Sequence, residues 1–252
     1  MNIKLVEEIA LKMYPSTEQI TLDGWLLRLY KQNSHQSNTI NPLYSGRMDI
    51  FTKIRECESI FTNRGFQFVY RLTPFSQPSI DDILDKLGYT RFDESRMLYL
   101  DLKKSIPVKS NTSNIQLTDP EKWMDVFQII TDYSDTQKQV YYDVIHSIAH
   151  PKCFMINKQP DGYASCGLGI LVNNIFGIFS INTQTQFQNK GFATELIIHM
   201  LDWAQSNNAS NVCLHVKATN LRALYLYQNI GFYEAYSFWY RSRPNAMLTF
   251  SG

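Results

Sequence analysis

A chain of 252 residues with 44% hydrophobic and 19% charged residues can build one large packed core or two smaller ones, which excludes a disordered or low-complexity protein. Lys and Arg number 24 against 23 Asp and Glu, so no global field exists to hold a nucleic-acid backbone or an acidic membrane surface. The four cysteines, Cys57, Cys153, Cys166 and Cys213, lack CxxC spacing and sit in apolar contexts, as reduced thiols of a cytoplasmic protein do. Met1 to Ala10 is amphipathic and carries Glu7 and Glu8, unlike a secretory leader. The longest apolar stretch, Gly167 to Phe179, is too short to span a bilayer.

In chain order, Ile3 to Met13 has helical periodicity, and Leu22 to Tyr30 reads as one strand. Met48 to Asn63 is a helix and Phe66 to Arg71 a strand. Ser79-Ile-Asp-Asp82 has capping-box spacing and opens a helix that runs to Leu87 and stops at Gly88, before a strand that includes Met97 to Leu102. The polar stretch Lys103 to Asn114 reads as a connection, so the expected domains are 1–104 and 115–252.

After that connection, Thr118-Asp-Pro-Glu121 is a helix-start signature for Pro120 to about Tyr133, and Thr136 to Ile148 is a second helix. Cys153 to Asn157, Tyr163 to Val172 and Ile175 to Thr183 read as an antiparallel meander, turned at Pro160-Asp-Gly162 and Asn173-Asn174. A helix from Gly191 to about Ser206, a strand over Val212 to Val216, a helix from Leu221 to Asn229 and an aromatic strand from Phe232 to Arg241 complete the chain.

The stretch Ile181-Asn-Thr-Gln-Thr-Gln-Phe-Gln-Asn-Lys-Gly-Phe-Ala-Thr194 delivers a polar loop from a strand end into a helix start. The first amides of a helix lack internal partners and carry partial positive charge, so such a loop can hold a pyrophosphate. Gly191 would permit close backbone approach and Lys190 adds a cation. As spacing alone, the same residues also describe a polar turn into a helix.

Gln188-x-x-Gly191-x-Ala193 resembles the acyl-CoA pyrophosphate motif of the GNAT superfamily of N-acetyltransferases, (Arg/Gln)-x-x-Gly-x-(Gly/Ala). Asn220-x-x-Ala223-x-x-Leu226-Tyr227-x-x-x-Gly231-Phe232 is similar to that family's second motif. The resemblance covers Ile115 to Arg243 well. It reaches the first half only through Leu22-Asp-Gly-Trp25 and the shared ending of helix, glycine, aromatic and strand at Gly88 and Gly231. It implies an α/β (α+β) protein of two GNAT-like halves, each a mostly antiparallel mixed sheet flanked by helices. Aligning Gly88 with Gly231 sets Leu84 against Tyr227 and Met48 against Gly191, so the N-terminal copy would be degenerate and the C-terminal one catalytic.

What the resemblance implies for the site follows residue by residue. The strand edges of Ile181 and Thr183 would accept the pantetheine arm of acetyl-CoA. Backbone amides of Gln188, Asn189, Lys190, Gly191, Phe192, Ala193 and Thr194 would cradle its pyrophosphate, and Asn220 would contact the cofactor. Tyr227 would protonate the departing CoA thiolate. The implied reaction is direct acetyl transfer to an amine, from a small molecule or a peptide, with no metal, nucleic acid or membrane involved. A non-catalytic acyl-CoA-binding regulator is the alternative, and an aminoacyl transferase using charged tRNA a second one, disfavoured by the near-zero charge.

The base that takes the amine's proton stays unassigned, because Asn174 to Thr183 contains no acid. Ser180 could hold a water, and Asp132, Tyr133 or Glu234 could approach from elsewhere. His146 and His150 stand four apart on a helical segment, without a third metal ligand beside them. Asp23-Gly-Trp25 and Arg28 fit a pocket or a turn with a buried Trp equally well, and neither the acceptor nor the oligomeric state is legible.

Overall fold

Residues 3–13, 16–30, 38–104 and 114–243 are described in a computed structural model. Their elements run α1 (Ile3–Met13), β1 (Glu18–Leu22), β2 (Trp25–Leu29), β3 (Thr39–Asn41), α2 (Ile50–Thr62), β4 (Val69–Leu72), α3 (Ile80–Lys86) and β5 (Thr90–Asp101). After the connection come β6 (Ile115–Thr118), α4 (Pro120–Thr131), α5 (Asp135–His146), β7 (Lys152–Gln159), β8 (Gly162–Val172), β9 (Ile175–Thr183), α6 (Phe192–Ser206), β10 (Asn211–Lys217), α7 (Leu221–Ile230) and β11 (Tyr233–Ser242). The expected α/β architecture of mostly antiparallel sheet flanked by helices is what the chain forms. Residues 105–113 of the expected connection lie outside the described residues.

The elements pack into two units that interleave along the chain. One takes α1, 98–104, 114–216 and 221–235; the other takes 16–30, 38–97, 217–220 and 236–243.

In the first unit the strand order is β5-β10-β9-β8-β7-β6, with β9/β10 parallel and β6 through β9 antiparallel. Its core joins Leu98, Leu100, Met155, Leu171, Phe176, Ile178, Leu196, Ile197, Met200, Val212, Leu214 and Tyr227. Helix starts follow capping chemistry. Asp119 accepts from the Lys122 amide at 2.7 Å ahead of Pro120, and Ser134 with Gln137 forms a reciprocal capping box at α5. All four cysteines are buried and unpaired, and desolvation pushes the thiols of Cys153 and Cys166 up to about 12.

In the second unit the order is β1-β2-β3-β4-β11, antiparallel except for β3/β4. Two expectations change here. Leu22 to Tyr30 is not one strand, because Asp23 at φ 43° and Gly24 at φ 86° form a two-residue hairpin turn that joins β1 to β2. Ser79 does not cap α3: at φ 68° its hydroxyl turns back to the Pro78 carbonyl at 2.5 Å instead of reaching the first helical amides.

Asp23 belongs to the turn, with Trp25 fully buried behind it. Its carboxylate accepts from the Arg47 and Met48 amides at 2.9 and 3.0 Å and pairs with buried Lys53 at 3.0 Å. Lys53 in turn lies 4.8 Å over the Trp25 ring, so this charge pair is a structural lock on the hairpin. Arg28 is buried on β2.

Candidate functional site

The site in the first unit is organised by a change of pairing along β9. Its parallel register with β10 runs from Asn211↔Ile175 to Leu214↔Ile178 and goes no further, although β10 continues past Leu214. Beyond Phe179, among the described residues, the β10-facing edge of β9 at Ile181 and Thr183 lies outside that register, while the opposite edge stays paired with β8 through Cys166↔Asn182 and Ser165↔Thr183. An edge of this kind offers amides and carbonyls to an extended ligand. Ile181 and Thr183 lie on it, both partly buried.

The two strands on the paired side also lose register. Leu168 stands opposite Phe179 and Cys166 opposite Asn182, so β9 carries one extra residue, and Ser180 takes a φ of 53° there. Gly167 faces this bulge. A Cβ on it would meet the Ile181 Cδ1 at 2.6 Å and the Met200 Sδ at 2.9 Å, so a side chain there would displace the ends of both.

Beyond Thr183 the chain makes a short 3-10 turn, Thr185–Phe187, and enters α6. Gly191 at the N-cap has φ 87°, and a Cβ there would meet nothing within 4 Å, so its glycine serves the left-handed backbone rather than a tight contact inside the protein. No side chain caps α6, and the amides of Phe192, Ala193 and Thr194 lie in the first turn, where a helix has no acceptors of its own. Asn189, also at positive φ (61°), and Lys190 are exposed, and the Lys190 ammonium lies 5.6 Å from the Phe187 ring centroid. The loop is anchored at both ends. Ser165 donates to the Phe192 carbonyl at 3.2 Å, and the Gln188 carboxamide donates to the Thr183 carbonyl at 3.4 Å while accepting from Arg222 of α7 at 2.8 Å.

Tyr227 projects from α7 into the core that also holds Leu214, Val216 and Phe232, with Ile181 packed against it. Its ring meets Phe232 edge-on at 5.6 Å. Burial pushes its phenol well above the ordinary tyrosine value, which keeps it protonated. Asn220 stands one residue ahead of α7 in the second unit, its amide bonded to the Lys217 carbonyl at 2.9 Å.

Aromatic side chains of α4, α5 and the turn between them collect beside β8 and β9. Trp123 stacks on Phe127 at 4.9 Å, and Phe127 meets Tyr133 at 5.1 Å and Tyr141 at 5.0 Å. The Tyr141 hydroxyl is hydrogen-bonded to Ser180, and Trp123 Nε1 donates to the Gly167 carbonyl at 3.0 Å. Sequence reasoning found Ser180 and Tyr133 but assigned Trp123 and Tyr141 no such contacts, since only the fold brings these helices to the bulge. Asp132 is the left-handed C-cap of α4, and Glu234 is exposed on β11. His146 stacks on Tyr142, and among the described residues no cluster of three or more His, Cys, Asp or Glu has metal-site geometry.

Known proteins share this architecture. A GCN5-related N-acetyltransferase from Kribbella flavida superposes with a TM-score of 0.74 at 10% identity, over 96% of this chain and 95% of its own. A tandem GNAT protein from the clavulanic acid biosynthesis pathway gives 0.64 at 11% identity, over 95% and 87%. At such identity the likeness speaks for the fold, and the fold is that of the GNAT superfamily.

In sequence, the uncharacterized N-acetyltransferase YobR of Bacillus subtilis is 24% identical over 237 residues, 92% of this chain and 94% of its own. Residues 1–241 match the family described as probable histone acetyltransferase Rv0428c C-terminal. The chain belongs to that family, and it is an acetyl-transferring acyltransferase of the GNAT type. No helix among its described residues is long and apolar enough to cross a membrane.

Proposed function

We propose that the protein transfers an acetyl group from acetyl-CoA directly to an amine, with both substrates bound at once. The carrying observation is the edge of β9 at Ile181 and Thr183, beyond its register with β10, which leads into a helix start at Gly191 that no side chain caps. These residues fit the cosubstrate: the edge matches an amide-bearing pantetheine arm, and the loop at Gly191 leaves open space where a pyrophosphate could approach. The thioester is what acetyl-CoA supplies when bound.

The chain's own residues do the rest. Backbone groups at Ile181 and Thr183 hold the arm, and an amide there polarises the thioester carbonyl. The amides of Gln188 to Thr194, with Lys190 beside them, hold the pyrophosphate, and Asn220 is the asparagine that the family resemblance assigns to the cosubstrate. Tyr227 keeps its proton through burial and delivers it to the departing sulfur. On this reading the chemistry belongs to the chain after residue 115. Residues 1–104 are then a degenerate copy, with Leu84 and Met48 standing where Tyr227 and Gly191 would be.

The acceptor is an amine of a small molecule or a peptide. With four buried, unpaired thiols, the reducing cytoplasm is the compartment that fits. Calorimetric titration of acetyl-CoA tests the reading. One site per chain, lost in Gly191→Asp, supports it; a wild-type protein that does not bind acetyl-CoA overturns it. A screen of amines for CoA release then identifies the acceptor.

A further inference from the structure

Two side chains from different helices reach the sheet at the one place where β8 and β9 lose register. From α4, the fully buried Trp123 donates its indole N–H to the carbonyl of Gly167, the residue with no partner in β9. From α5, Tyr141 is hydrogen-bonded through its hydroxyl to Ser180, the residue that carries the positive φ. The tyrosine ring is itself fixed, with Phe127 at 5.0 Å, Trp123 at 6.3 Å and Tyr133 at 6.4 Å. We propose that Trp123 and Tyr141 are positioning residues that clamp the β8/β9 bulge and so hold the edge of Ile181 to Thr183 in the direction that receives the pantetheine arm. This inference rests on the acetyl-CoA reading above.

A non-glycine residue stays in the left-handed region only where its surroundings over-determine it. Ser180 has no glycine's freedom and no register partner in β8; Asn182 Nδ2 donates to its carbonyl at 3.1 Å within the strand, and the hydroxyl contact to a rigidly packed Tyr141 is the restraint from outside it. Gly167 across the bulge leaves room for the ends of the Ile181 and Met200 side chains. Relaxing either contact allows β9 to regain ordinary pairing with β8, and a shift of one residue would turn every edge group from 180 to 183 to the opposite direction. The clamp acts first on the arm, because the start of α6 has an anchor on β8, where Ser165 donates to the Phe192 carbonyl at 3.2 Å, in addition to the Gln188 contact with Thr183.

The test compares two ligands on one protein by calorimetry: acetyl-CoA, and adenosine 3′-phosphate 5′-diphosphate, which has the pyrophosphate and no arm. Tyr141→Phe keeps the ring and deletes the hydroxyl. It is expected to weaken acetyl-CoA about tenfold, the scale of one lost hydrogen bond, and to leave the nucleotide within about twofold. Ser180→Ala should do the same, and the double variant should be no weaker than the worse single one, since both remove one interaction. The second variant keeps the test decisive should the first fold poorly. Unchanged acetyl-CoA affinity in a folded Tyr141→Phe protein, or equal weakening of both ligands, overturns the clamp while leaving the cosubstrate reading intact. A wild type that binds neither ligand overturns that reading and the clamp with it.

Discussion

Arg222 in the first turn of α7 donates to the side-chain oxygen of Gln188 at 2.8 Å, joining the two sequence motifs by a single hydrogen bond. The other end of the same carboxamide reaches the Thr183 carbonyl at 3.4 Å. One side chain thus couples the end of the β9 edge, the loop and the helix that carries Tyr227. Gln188→Ala removes both contacts while sparing the Gln188 amide. It should weaken acetyl-CoA roughly three- to tenfold in a calorimetric titration, the range expected for one or two exposed hydrogen bonds. Arg222→Ala should give a smaller loss, with thermal stability unchanged.

Gly191 separates conformation from charge. At φ 87° with open space around a would-be Cβ, Gly191→Ala meets no neighbour and costs about 1–2 kcal/mol through the backbone alone, which denaturant unfolding reads directly. Gly191→Asp adds a carboxylate where a pyrophosphate would lie, so its acetyl-CoA affinity should fall at least about tenfold below that of the alanine variant. Equal affinity in the two variants would mean that no anion binds at this loop.

Tyr227→Phe leaves packing against Phe232 nearly unchanged and deletes the phenol proton. With a suitable amine, CoA release should fall about 10²- to 10⁴-fold, the usual contribution of a positioned acid, with acetyl-CoA affinity retained. The pH dependence has a definite sign. Burial raises the folded value above the ordinary one, so the neutral phenol persists below about pH 10 and is lost only as pH rises further. A rate profile that declines between pH 8 and about 9 would have to come from another group.

Asp23 makes the corresponding statement about stability in the second unit. The Arg47 and Met48 amides, followed by Lys53, hold its carboxylate down to about 2 from the usual 3.8. A depressed acid value means a stabilising contribution that is full above pH 3.8 and disappears as pH falls toward 2. Asp23→Asn should lower Tm at pH 7, leave buried Lys53 without its counter-charge, and flatten the melting curve's dependence on pH between about 4 and 2.

Much of this was readable in the sequence where periodicity is long. The helices from Ile3 to Met13 and from Pro120 onward, the meander through Thr183 and the loop to α6 lie close to where apolar spacing and turn residues put them. What escaped were features decided by distant partners. Asp23-Gly24 hid inside an apolar run, because a two-residue turn interrupts the pattern so briefly. The short strands β3 and β6 carry too few residues to show a period. Ser79 has the spacing of a cap but the wrong backbone angle. The Ser180 bulge leaves only a lone polar residue in an apolar strand, and Trp123, some forty positions upstream of Gly167, gives no local sign of the carbonyl it serves.

The interleaving of the two units has a consequence for how the chain acquires its shape. Helix α1 packs on β8 and β9, so its apolar face waits for partners made about 150 positions later in the chain. The first unit also needs α7, and the second needs the pairing of Trp239 with Leu72. Neither assembly can close until the chain has been made through α7 and into β11. Such long-range dependence slows folding and leaves α1's apolar face bare in the meantime, so chains cut before α7 should gather in insoluble form while the 252-residue chain folds.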